Sequence, residues 1–114
     1  EIMAAITNLL IEQGATFTST ISLFNADDTA FDLTDHTGAG QIRKSYSSSS
    51  ASATFTISFA SDRTSGQITL SLTPTQTAAL EEGRYVYDIE VTGSDSTVTR
   101  VLQGTVTVSP NVTR

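Results

Sequence analysis

Cysteine is absent from the chain, so neither a disulfide framework nor a thiolate metal site can hold it together. Tryptophan is absent too, and aromatics make up only 7% of the residues. That leaves little from which to build the aromatic platforms of a sugar-binding groove. Basic residues are scarce, 6 Lys+Arg against 12 Asp+Glu for a net charge of −6. A nucleic-acid binder needs a clustered basic footprint, and scattered cations do not supply one. No apolar run approaches the roughly 20 residues of a membrane helix. The first residues lack the basic-then-apolar pattern of a secretory leader. Proline occurs only 2 times, which argues against a Pro-rich glycosylated stalk. Stability has to come from packing and strand pairing.

What is abundant is hydroxyl. About three residues in ten are Ser or Thr, far above ordinary usage. Thr suits a strand because its branched side chain fits the pleat while its hydroxyl faces water. The 114 residues leave room for a single domain over residues 1–114. Met3, followed by two alanines, is the expected natural start, with Glu1 and Ile2 a cloning remnant. Asn111-Val112-Thr113 fits the N-glycosylation acceptor triplet, a pattern common by chance.

Alternation of apolar and polar residues marks the strands. The longest such stretch is a hairpin over residues 83–109. Tyr85, Tyr87, Ile89 and Val91 share one face, Gly93-Ser94-Asp95-Ser96 makes the turn, and Val98, Leu102, Val106 and Val108 return on the inward parity. Gly104 is the expected site of a bulge or bend. Residues 4–12 read as an edge strand or extended lead-in. In residues 15–24, Phe17, Ser19, Ile21 and Leu23 oppose Thr16, Thr18, Thr20 and Ser22. Residues 29–33 read as a short strand or a crossing segment between turns. Residues 38–46 read as a strand with Ile42, Lys44 and Tyr46 on one face, and residues 47–52 as a serine loop. Phe55, Ile57 and Phe59, then Ile68, Leu70 and Leu72, mark two further strands. Thr73-Pro74 reads as an N-cap with proline at the first helical position, and Gly83 as the close of a short helix through Leu80. Seven to eight strands, no repeat and one short helix predict an all-β, immunoglobulin-like antiparallel β-sandwich. The Cys…Trp…Cys core of antibody domains is missing.

Candidate chemistry is thin. His36, the only histidine, falls in the polar turn Thr34-Asp35-His36-Thr37. A triad is spatial and not excluded by spacing, but no Gly-x-Ser-x-Gly elbow accompanies it, and a solvated loop histidine is the plainer reading. Asp27, Asp28, Asp32 and Asp35 are weak candidates for a calcium site, since hard cations take several loop oxygens. Their spacing does not match an EF-hand, and turn-capping is the commoner use. Gly38-Ala39-Gly40 is too short to cradle phosphate. Arg43, Lys44 and Tyr46 form the one exposed basic and aromatic cluster, a candidate anchor for a partner surface. The lead-in from Ile6 to Ile11 and the tail from Pro110 to Arg114 are each candidates to extend a neighbouring subunit's sheet.

Several segments carry a resemblance in their order. Ile11-Glu12-Gln13-Gly14-Ala15-Thr16-Phe17, Asp32-Leu33-Thr34 and Gln41-Ile42-Arg43-Lys44-Ser45-Tyr46 are similar to the opening of small tailed-bacteriophage virion proteins. That group includes the amino-terminal domains of baseplate upper proteins and small structural proteins of marine cyanobacterial phages. Leu80-Glu81-Glu82-Gly83-Arg84-Tyr85-Val86-Tyr87-Asp88 and Leu102-Gln103-Gly104-Thr105-Val106-Thr107-Val108 resemble that group's later hairpin. Asp35 departs from it, standing where the group usually has glycine. The resemblance implies a β-sandwich located in the virion, with no catalysis and no cofactor. It would act in tail, baseplate, neck or capsid surface, and its partners would be other virion proteins and itself as a homo-oligomer. No nucleic acid or membrane is expected as partner. The alternative from another class is a calcium-dependent or carbohydrate-binding adhesion module.

Overall fold

The computed structural model describes residues 5–112. The expected start at Met3, the last residue of the glycosylation triplet and the end of the tail lie outside them. The elements are β1 (Ala5–Ile6), β2 (Leu9–Glu12), β3 (Phe17–Ser22), β4 (Thr37–Arg43), β5 (Ala53–Thr54), β6 (Thr56–Phe59), β7 (Gln67–Leu72), α1 (Pro74–Ala78), β8 (Gly83–Thr92) and β9 (Val98–Ser109). A six-stranded sheet runs β1-β9-β8-β4-β5, with β2 also on β9, and faces a three-stranded sheet β3-β7-β6. In immunoglobulin order, β3, β7 and β6 are strands B, E and D, while β9, β8, β4 and β5 are G, F, C and C′. The chain is an immunoglobulin-like β-sandwich.

The pleat sorts the side chains. On β8, Tyr85, Tyr87, Ile89 and Val91 are buried and the residues between them are not. Ile68, Leu70 and Leu72 of β7 meet them from the opposite sheet. Each such side chain contributes about 1.5–3 kcal/mol when removed from water. Gly38 and Gly40 of β4 have a packing role: a Cβ on Gly38 would fall 2.6 Å from Ile57, and one on Gly40 would fall 2.3 Å from Ile89. Both glycines let neighbouring strands approach closely.

α1 begins as its sequence dictates. Gln76 N–H donates to the Thr73 hydroxyl and Thr73 N–H to the Gln76 side chain, a reciprocal capping box with Pro74 at the first turn. The helix ends on Ala79. Gly83 does not close it but opens β8, because Leu80 is drawn into the core. Tyr85 then donates its phenol to the Glu81 carbonyl at 2.8 Å, the tyrosine corner of immunoglobulin-type sandwiches.

The lead-in pairs within its own chain: β1 and β2 run parallel to β9 in one continuous register, Ala5 on Leu102 and Leu9 on Val106. The bulge lies not at Gly104 but where β8 shifts register between Ile89 and Glu90. Val101 and Leu102 are both buried there, so the parity of β9 flips and Val98 is 56% exposed rather than inward. Of the two readings of residues 29–33, the structure shows the crossing segment: the chain makes only a bridge between Phe24 and Ala30, after which Leu33 drops into the core.

Candidate functional site

The strand register gathers the loops of residues 23–36, 60–66 and 93–97 at one pole, since Ser22 pairs with Gln67 and Thr37 with Thr92. The sequence candidates Asp27, Asp28, Asp32 and Asp35 all lie there. They do not converge. Among the described residues no group of three or more His, Cys, Asp or Glu side chains is placed to hold a metal ion. Each capping carboxylate serves its own turn. Asp27 accepts from Thr29, Asp32 from Thr34 and Asp62 from Thr64, each through both the backbone N–H and the hydroxyl, with the hydroxyl at 2.6 Å. Asp95 accepts from the Thr97 N–H at 3.0 Å. The signal was present in the sequence as a repeated Asp-x-Thr, the spacing of an Asx turn. Asp28 and Asp35 take the left-handed conformation that completes their turns (φ 69° and 60°). Those Thr hydrogen bonds hold Asp27, Asp32 and Asp95 below their ordinary carboxylate range.

His36 is held by structure too. Its Nδ1 lies 3.0 Å from the Thr34 carbonyl and its ring meets Phe31 edge-on. Beside it Arg63 donates to the carbonyls of Leu33 and His36 and stacks on the Phe59 ring, 4.0 Å from its centroid. A guanidinium does this because its donors form a planar fork with an aromatic-facing surface.

Of Arg43, Lys44 and Tyr46, the structure separates Lys44 and keeps the other two together. Arg43 faces outward from β4 and donates to Gln41 and to the Ser48 carbonyl. Lys44 turns the other way and sits over the Tyr85 ring, 4.4 Å from its centroid. Tyr46 does not share Ile42's face, because β4 ends at Arg43 and the Ser45–Ser48 turn redirects the chain. Tyr46, 78% exposed, joins Gln41, Arg43, Asp88 and Arg100 around a shallow depression of about 230 Å³. Asp88 and Arg100 pair across it at 3.3 Å. A surface ion pair of this kind adds little stability.

The feature that sequence reading missed is larger. Residues 13–26, 45–61 and 64–80 contain no charged side chain, and together they supply all of β3, β6, β7 and α1. The outer face of the three-stranded sheet is therefore a neutral grid. Thr18, Ser71 and Thr56 lie in one cross-strand row and Thr20, Thr69 and Ser58 in the next. Thr20 and Thr69 share a hydroxyl–hydroxyl bond of 3.0 Å. The charges of the described chain fall on the loops and the six-stranded sheet.

No protein-family model matches the sequence, and no curated protein matches it. Among solved structures, the chain is similar to AggA, the major subunit of aggregative adherence fimbriae type I from Escherichia coli. The identity there is 11% and the TM-score 0.41, over 90% of this chain and 89% of that one. It is also similar to a family 123 glycoside hydrolase from Clostridium perfringens, which hydrolyses glycolipid glycans. There the identity is 12% and the TM-score 0.42, over 96% of this chain and 24% of that one. At these values neither likeness bears on what this chain does.

Proposed function

We propose that this protein is a non-enzymatic structural subunit, an assembly module of a tailed-bacteriophage virion in tail, baseplate, neck or capsid surface. The observation that carries the reading is the uncharged three-stranded sheet. A chain of net charge −6 repels its own copies through most of its surface, and a neutral face is where such copies can pack. The polar side chains that might have done chemistry also have structural employment: the aspartates cap turns, and His36 bonds the Thr34 carbonyl. The order of the sequence segments resembling phage virion proteins supports the choice of particle. Mass spectrometry of purified virions, with antibody labelling of intact particles, tests it. The chain is expected in stoichiometric amount at a symmetric position, and particles without it would sink the reading.

The second reading is a carbohydrate-binding adhesion module, favoured by exposed Tyr46 beside Gln41, Arg43, Asp88 and Arg100. An aromatic ring flanked by planar polar groups suits a sugar. Its calcium-dependent form loses ground, because the aspartates point at their own backbones. Glycan-array binding abolished by Tyr46→Ala would favour this reading over assembly.

A further inference from the structure

We infer that β3 is a seam between two copies of this chain, joined edge to edge about a two-fold axis through Thr20. This deepens the assembly reading and rests on it.

Strand edges in natural proteins are guarded by shortness, charge, proline, bulges or a covering segment. The other edges here are guarded. β5 has 2 residues. β6 has 4, and just before it the Gln76 side chain occupies the Thr54 carbonyl at 3.1 Å. The β1–β2 edge is interrupted at Thr7-Asn8 and ends on Glu12. β3 has 6 residues, FTSTIS, with no charge, no proline and no bulge. Its inward side chains Phe17 and Ile21 pack on the core yet stay partly exposed, so burial is incomplete on that flank.

The backbone specifies the register. Leu23 N–H donates to the Gly66 carbonyl at 2.8 Å, and bonds to one partner alternate along an antiparallel strand. Phe17, Ser19 and Ile21 therefore bond to β7, while Thr18, Thr20 and Ser22 turn their N–H and C=O groups to the open side. An antiparallel strand edge is self-complementary under a two-fold axis. With the axis at Thr20, Thr20 exchanges both bonds with Thr20 of the second copy, and Thr18 does so with the second copy's Ser22. No outward group of β3 is left over. The occupant is a second copy because the seam matches itself, and because this flank is where two chains of net charge −6 meet without opposing charges.

The test is solution mass by light scattering and sedimentation across a concentration series, with variants checked for folding by circular dichroism. Wild-type protein is expected to form a dimer or an even-numbered assembly. Thr20→Lys, which sets two ammonium groups against each other at the axis, is expected to weaken it by about tenfold or more. Thr107→Lys, on the far face of β9, is expected to leave it unchanged. In this cysteine-free chain, Thr20→Cys is expected to trap a covalent dimer under mild oxidation where Thr107→Cys does not. An assembly indifferent to Thr20→Lys overturns the seam and leaves the assembly reading standing. A monomer at every concentration, with no trapping at position 20, also overturns the seam; the assembly reading is then decided by the virion analysis alone.

Discussion

The phenol of Tyr87 donates to the backbone carbonyl of Thr7 at 2.6 Å, across 80 residues of sequence. The bond fastens the lead-in to the middle of β8. Burial pushes the Tyr87 phenol up from 10.0 to about 12, and burial raises Tyr85 in the same direction. The folded state thus holds these protons more tightly than the unfolded chain. Their contribution is complete below pH 10 and is lost as pH rises through the folded value. Tyr87→Phe is expected to cost about 1–2 kcal/mol at neutral pH, since it strips the Thr7 carbonyl of a partner. It should also flatten the alkaline loss of stability. Denaturant titrations at neutral pH and across the alkaline window check both.

Gly104 stands directly across the ladder from Tyr87. A Cβ there would lie 2.1 Å from the Thr7 carbonyl oxygen, which is backbone and cannot swing aside. Gly104→Ala is expected to cost about 1–3 kcal/mol and to loosen the lead-in selectively. Hydrogen exchange should show lost protection at Thr7, whose N–H bonds the Gln103 carbonyl, while β3 and β7 stay protected.

The turn-capping aspartates are expected to contribute to the acid limb. Asp27, Asp32 and Asp95 lie below the ordinary 3.8 through hydrogen bonds, chiefly to Thr29, Thr34 and Thr97. A lowered carboxylate contributes stability above the unfolded value and loses it as pH falls through the folded one. The melting temperature is therefore expected to hold steady down to about pH 4 and to fall below it. Asp32→Asn should reduce that fall while keeping the turn, because an amide oxygen still accepts from Thr34.

Arg63 is expected to matter more than a loop arginine ordinarily does. Arg63→Ala removes the donor to the Leu33 and His36 carbonyls together with the stack on Phe59, at about 1–3 kcal/mol. Arg63→Lys should restore little of it, because an ammonium has neither the fork nor the plane. Thermal unfolding of both variants checks the point.

Most of the sandwich was legible because its strands alternate cleanly. Phe17, Ser19 and Ile21 against Thr18, Thr20 and Ser22 gave both faces of β3, and Thr73-Pro74 gave the start of α1. The face of Val98 was not legible, because a bulge leaves no mark in composition and one extra residue inverts everything beyond it. Gly104 was singled out for the wrong reason: its smallness serves a neighbour 97 residues earlier, Thr7, rather than a bend. Lys44 leaves the candidate cluster because neighbours in sequence alternate in space, while Arg43 and Tyr46 still meet around one depression. The neutral sheet was written plainly in the uncharged stretches, yet only strand order brings those stretches side by side.

The parallel pairing of β1 and β2 with β9 has a mechanical consequence. The first strand enters at the Leu102 end of β9, and the last strand leaves at the Ser109 end, beside Glu12. Tension applied through the two ends therefore slides these strands lengthwise against each other. In that geometry the bonds from Leu9–Glu12 to Val106–Ser109 bear the load together. A hairpin pulled apart at its open end would surrender them one at a time. Under such tension β2 and β9 would resist as one block rather than peel apart.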